Sequence, residues 1–93
     1  MTADQKEQLR DAALEVLVAC DFVPRPLHAI HRNVNKLVCF HFTDEELTAA
    51  LEFLRGLSLV NYTENELGCT RWWLTTPAGV LKIERANSYP HQD

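Results

Sequence analysis

The sequence predicts a small, mostly α-helical domain with one antiparallel β-hairpin: helices first, then the hairpin, then a short closing helix. Three observations carry this. Thr2 with Gln5, and Thr43 with Glu46, form capping boxes, and each heads a stretch with apolar residues at helical spacing. Residues 59–63 and 69–75 are rich in β-branched and aromatic side chains and flank a turn-forming loop at 64–68. Thr76 and Pro77 then offer an N-cap and a first helical residue.

The first helix is expected from Ala3 to Cys20. Leu9, Ala13, Val16, Leu17 and Cys20 share one face, and Asp4, Lys6, Glu7, Arg10, Asp11 and Glu15 fill much of the remainder. Phe22, Val23 and Pro24 read as an extended connector, because a residue before proline avoids the helical region. Pro26 opens a second helix whose apolar face is Leu27, Ile30, Val34 and Leu37, with Arg25, Arg32 and Lys36 off that face. Apolar alternation from Leu37 to Phe42 is compatible with a minimal strand. The third helix starts at Thr43, where Asp44 and Glu45 also favour the positive helix N-terminus. Its stripe is Leu47, Ala50, Leu51, Leu54 and Leu57, and Gly56 offers a break near its end. On the second hairpin strand, Trp72 and Leu74 share one face, expected to be the core side. Arg71, Trp73 and Thr75 share the other, which puts Trp73 outside as a contact residue. Val80, Leu81 and Ile83 close the last helix over the core. The expected order is α-α-(short β)-α-β-β-α, a single domain over residues 1–86 with a flexible tail at 87–93.

Composition bounds the function. A chain of 93 residues, 46% hydrophobic and 24% charged, supports one cooperative core and leaves little room for an enclosed substrate cavity. No apolar run approaches the ~20 residues that cross a bilayer, and the polar start from Met1 to Arg10 is unlike a signal peptide. A soluble cytoplasmic protein that does not act on membranes is expected. Its three cysteines, Cys20, Cys39 and Cys69, read as reduced thiols buried as small hydrophobes. Glycine-rich phosphate loops and the common hydrolase motifs are absent, so neither a cofactor nor enzymatic activity is expected.

The segment Leu51–Val60, reading LEFLRGLSLV, and the segment Trp73–Gly79, reading WLTTPAG, resemble the winged-helix transcription-regulator superfamily. There a helix ending in L-x-x-L-x-x-x-G-L-V leads into the wing, and L-T-x-x-G starts the next helix. This chain has two extra residues between Gly56 and Val60 and one extra before Gly79. The resemblance implies a winged helix-turn-helix. In DNA-binding members the third helix enters the major groove, which would assign contacts to Glu45, Thr48, Ala49, Glu52, Phe53 and Arg55.

Charge qualifies that assignment. From Thr43 to Gly56, Asp44, Glu45, Glu46 and Glu52 face Arg55 alone, a net −3 in a chain of net −4. Non-specific DNA affinity comes mainly from cations that neutralise phosphates. Residues 21–42 are the basic region, with Arg25, Arg32 and Lys36 against Asp21, a net +2. Two functions follow. One is a winged-helix DNA-binding domain of a small regulator, contacting double-stranded DNA through Arg25, Arg32, Lys36, Thr48, Arg55 and Arg71. The alternative is a protein-interaction module that pairs with itself or with a basic protein through Asp44, Glu45, Glu52, Phe53 and Trp73. His28, His31, Cys39 and His41 have metal-ligand chemistry, but tight cysteine spacing and turn glycines are missing. The plainer expectation is a buried Cys39 and capping or exposed histidines.

Overall fold

A computed structural model of the chain describes residues 1–64 and 70–87, the last by its backbone alone. The elements are α1 (Ala3–Ala19), β1 (Arg25–Pro26), α2 (Leu27–Asn35), α3 (Asp44–Gly56), β2 (Val60–Glu64), β3 (Arg71–Thr75) and α4 (Pro77–Asn87). The fold is mostly helical, with a three-stranded antiparallel sheet in the order β1-β3-β2.

Both capping boxes form. Thr2 accepts from the Gln5 N–H and Thr43 from the Glu46 N–H, and each Gln or Glu side chain returns the bond to its cap. The core is built from Leu9, Ala13, Leu14 and Leu17 of α1, Ile30 and Val34 of α2, Leu47, Leu51 and Leu54 of α3, and Val60 and Trp73 of the sheet.

The short strand is not where apolar alternation predicted it. Residues 37–42 form no strand, and the third strand is Arg25–Pro26, ahead of the second helix. The order is therefore α-β-α-α-β-β-α. Arg25 pairs with Trp73 and Pro26 with Trp72. Proline is tolerated there because β1 is an edge strand and needs no donor on its outer side. Reaching that position takes a tight turn: Asp21 and Phe22 both adopt left-handed φ angles, 53° and 67°. Phe22 is thus a turn residue and not part of an extended connector.

The end of α3 also differs from its expected form. Gly56 is the last helical residue, yet the left-handed residue is Ser58, at φ 63°. The Leu59 N–H bonds to the Leu54 carbonyl and the Ser58 N–H to the Arg55 carbonyl, the Schellman pattern. Leu57, now beyond the helix, is 54% exposed instead of completing the stripe.

One threonine and one glycine set α4 against the sheet. Thr76 caps it by accepting from the Gly79 N–H, and donates its own hydroxyl to the Ser58 carbonyl. Gly79 permits the close approach. A Cβ there would stand 2.4 Å from both the Leu59 carbonyl oxygen and Thr75 Oγ1. Ile83 packs against the core as expected, but Leu81 points outward. The loop residues 65–68, Cys69 and the tail beyond Asn87 lie outside the described residues.

Candidate interaction surface

The N-terminal turn of α3 presents three carboxylates in a row, Asp44, Glu45 and Glu46. Glu46 is committed to the capping box, while Asp44 and Glu45 are exposed. Asp44 also fastens α3 to α2. Its Oδ1 lies 2.6 Å from His31 Nδ1, and the His31 ring stacks on buried Phe42 at 4.3 Å and 26°. Three residues thus fix the angle at which the acidic helix end is displayed.

About two to three turns further, at Glu52 and Arg55, α3 meets the sheet in a cluster around Tyr62. Arg71 of β3 donates to Glu52 of α3 at 2.5 Å, and its guanidinium lies 4.4 Å from the Tyr62 ring centre. The Arg55 guanidinium lies over the same ring at 4.7 Å. Both contacts sit within the range where a ring face attracts a cation. The hydrogen bond to Glu52 raises the Arg71 pKa above its already high ordinary value, so this arginine stays charged. On the α1 side of α3, the Arg10 guanidinium stacks 3.7 Å from the centre of Phe53, which is 45% exposed.

The six DNA-contact candidates therefore separate by environment. Arg55 and Arg71 are turned onto Tyr62, and Arg71 is also paired with Glu52. Thr48 is half-buried. Arg25, Arg32 and Lys36 are exposed on β1 and at α2, with no ion pair among the described residues. Among the protein-contact candidates, Asp44, Glu45 and Phe53 are exposed and Glu52 is half-buried.

Trp73 does not belong with them. It is 2% exposed and packs in the core, while Trp72 is only half-buried, the reverse of the expected orientation. The ring of Tyr62, its register partner, lies 5.1 Å away at 60°. Thr75, two residues on, is buried on the same side, where its hydroxyl donates to the Thr76 carbonyl. Both faces of β3 carry large side chains, so alternation fixes which residues share a face and not which face is inside.

Nor is Cys39 in the core. It is exposed in the loop between α2 and α3, and Cys20 is half-buried at the end of α1. Cys39 and His41 border one shallow depression, whereas His31 is held by Asp44 and Phe42. No three His, Cys, Asp or Glu side chains among the described residues stand close enough to hold a metal. No described helix is long and apolar enough to cross a membrane.

Sequence reasoning passed over Tyr62 and Arg10. Their partners are remote in the chain, Arg71 and Arg55 for the tyrosine and Phe53 for Arg10, so no local spacing announces them. Comparison with known proteins adds no assignment: no protein-family model matches the chain, and no curated protein does so.

Proposed function

We propose that the chain is a winged-helix protein-interaction module that engages a basic protein through the outward face of α3. The fold reading rests on the Leu51–Val60 and Trp73–Gly79 segments, and the passage from helices to an antiparallel strand pair to a closing helix supports it. One observation carries the functional reading. Asp44 and Glu45 are exposed at the N-terminal end of α3, while Arg55, about three turns away, lies over Tyr62, and Arg71 lies over Tyr62 and pairs with Glu52. Asp44 stays largely exposed although it bonds to His31, Glu45 has no ion pair among the described residues, and α3 keeps an excess of carboxylates, a surface that repels phosphate and attracts lysine-rich protein. Phe53 adds an exposed aromatic contact beside it.

The DNA-binding reading has its own supporting observation, the exposed Arg25, Arg32 and Lys36. Two measurements separate the readings. Titration with mixed-sequence duplex DNA at low salt is expected to give no binding. A measurable affinity that falls steeply with salt would establish the DNA reading instead. Carbodiimide treatment of the chain with its co-purifying proteins, which joins carboxylates to lysines, is expected to yield cross-links from Asp44 and Glu45. They should vanish in a D44N/E45Q variant. Cross-links that avoid α3 altogether would overturn the proposal.

A further inference from the structure

A second surface lies between the C-terminal half of α1 and α2, away from the α3 carboxylates. It is an open groove of about 400 Å³ whose apolar lining is Val16, Ala19, Cys20 and Leu37, with Arg25 and Lys36 at its border. Val16 is buried and forms its base, whereas Leu37 is 51% exposed, just past the end of α2. The sequence placed Leu37 on the core face of α2. The structure instead leaves it standing open in this groove.

The cations here have no ion-pair or ring partner among the described residues, unlike those around Tyr62. Arg25, Lys36 and Arg32, one helical turn before Lys36, make no ion pair among the described residues. Arg25 is held on a fixed backbone by pairing with Trp73 in the sheet. Lys36 caps α2, its N–H bonded to the Asn33 carbonyl. Asn33 spends one amide hydrogen on the Ala29 carbonyl and leaves its oxygen free of any described donor. Glu15 is the one carboxylate in the lining.

We infer that this groove docks an acidic amphipathic segment of a partner protein. Apolar side chains of the segment pack against Val16, Ala19 and Leu37, and its carboxylates meet Arg25 and Lys36. Laying an apolar helix face into a groove with charges matched at the rim is a recurring mode of peptide recognition. Charge complementarity decides the sign: an excess of unpaired cations borders the groove in a chain that is net −4 overall. The apolar lining decides the class of partner. A phosphate backbone gains nothing from contact with an exposed leucine, whereas an apolar side chain is stabilised by covering it. This site stands independently of the α3 surface, and either can fail without the other.

The probe is a labelled glutamate-rich peptide with leucine and phenylalanine at helical spacing, followed by fluorescence anisotropy at low salt. Lysine-for-glutamate and scrambled versions serve as controls. Binding to the acidic amphipathic peptide alone is expected. The exposed double variant R25E/K36E should weaken it about tenfold and bind the lysine version instead. Leu37→Asp should weaken it as well, and amide shifts on peptide addition should map to Val16, Ala19 and Leu37. Circular dichroism confirms that each variant is folded. Absence of binding, equal binding by the scrambled peptide, or an unchanged affinity in R25E/K36E would overturn the proposal. So would duplex DNA that displaces the peptide from these residues, or self-association abolished by K36E, which would assign the groove to nucleic acid or to a second copy.

Discussion

Replacing Trp73 and Trp72 by alanine, one at a time, tests the inside-out orientation of β3. Trp73 is 2% exposed in a core that also buries Leu14, Ile30, Leu51 and Val60. Removing a buried tryptophan costs about 3–5 kcal/mol, from lost transfer energy and the cavity left behind. A domain of 93 residues has a total stability of roughly 5–14 kcal/mol at 0.05–0.15 kcal/mol per residue. W73A therefore removes between about a fifth and all of it. At roughly 4–8 °C per kcal/mol for a domain of this size, the melting point should fall by about 12–40 °C. Trp72 is half-buried on the opposite face, so W72A should cost only about 1–2 kcal/mol, in proportion to the smaller area removed from water. Thermal and urea unfolding followed by circular dichroism measure both. If W72A is the more damaging variant, Trp72 is the core residue, and the placement of Tyr62 and Arg71 around it fails too.

Three further substitutions probe local features. Ser58→Gly should raise stability by about 1 kcal/mol, because Ser58 occupies the left-handed position that closes α3 and glycine takes that conformation without a Cβ penalty; a lowered urea midpoint would refute the Schellman assignment. Gly79→Ala should cost about 2 kcal/mol, since its Cβ meets the Leu59 carbonyl and Thr75 Oγ1 at 2.4 Å, and the strain exceeds the gain in helix propensity. An unchanged melting point would show that α4 sits farther from the sheet. Thr43→Ala should cost about 1 kcal/mol by removing the acceptor for the Glu46 N–H and the reciprocal capping arrangement, and hydrogen exchange at residues 44–47 should speed up with it.

The helices were legible because their signals are local. Thr2 with Gln5 and Thr43 with Glu46 satisfy backbone donors three residues away, and the Leu47, Leu51 and Leu54 stripe follows from the helical repeat alone. The strands were legible as strands and not in their arrangement. Arg25 and Pro26 are a two-residue strand only because β3 lies beside them, and two residues carry no period of their own. The same holds for the face of β3: Trp72 with Leu74 and Trp73 with Thr75 are alternatives that only packing can separate.

Charge was misjudged for a related reason, and the consequence reaches the function. A sequence counts formal charges, but recognition depends on which of them are free to meet a partner. Arg55 and Arg71 counted as cations of the third helix and the hairpin, where they offset part of the carboxylate charge. Folding draws both onto Tyr62, and Arg71 also onto Glu52, while Asp44 and Glu45 stay exposed at the other end of α3. Arg25 and Lys36, no different in formal charge, border a groove with apolar walls and have no ion-pair partner among the described residues. The Arg71–Glu52 pair removes one charge of each sign, so α3 keeps the acidic excess of its composition at its N-terminal end, and the exposed cations of β1 and α2 keep their positive charge. A chain with a single net value of −4 thus presents two surfaces of opposite sign. That division argues against one continuous cationic DNA face, and the two proposed protein contacts both rest on it.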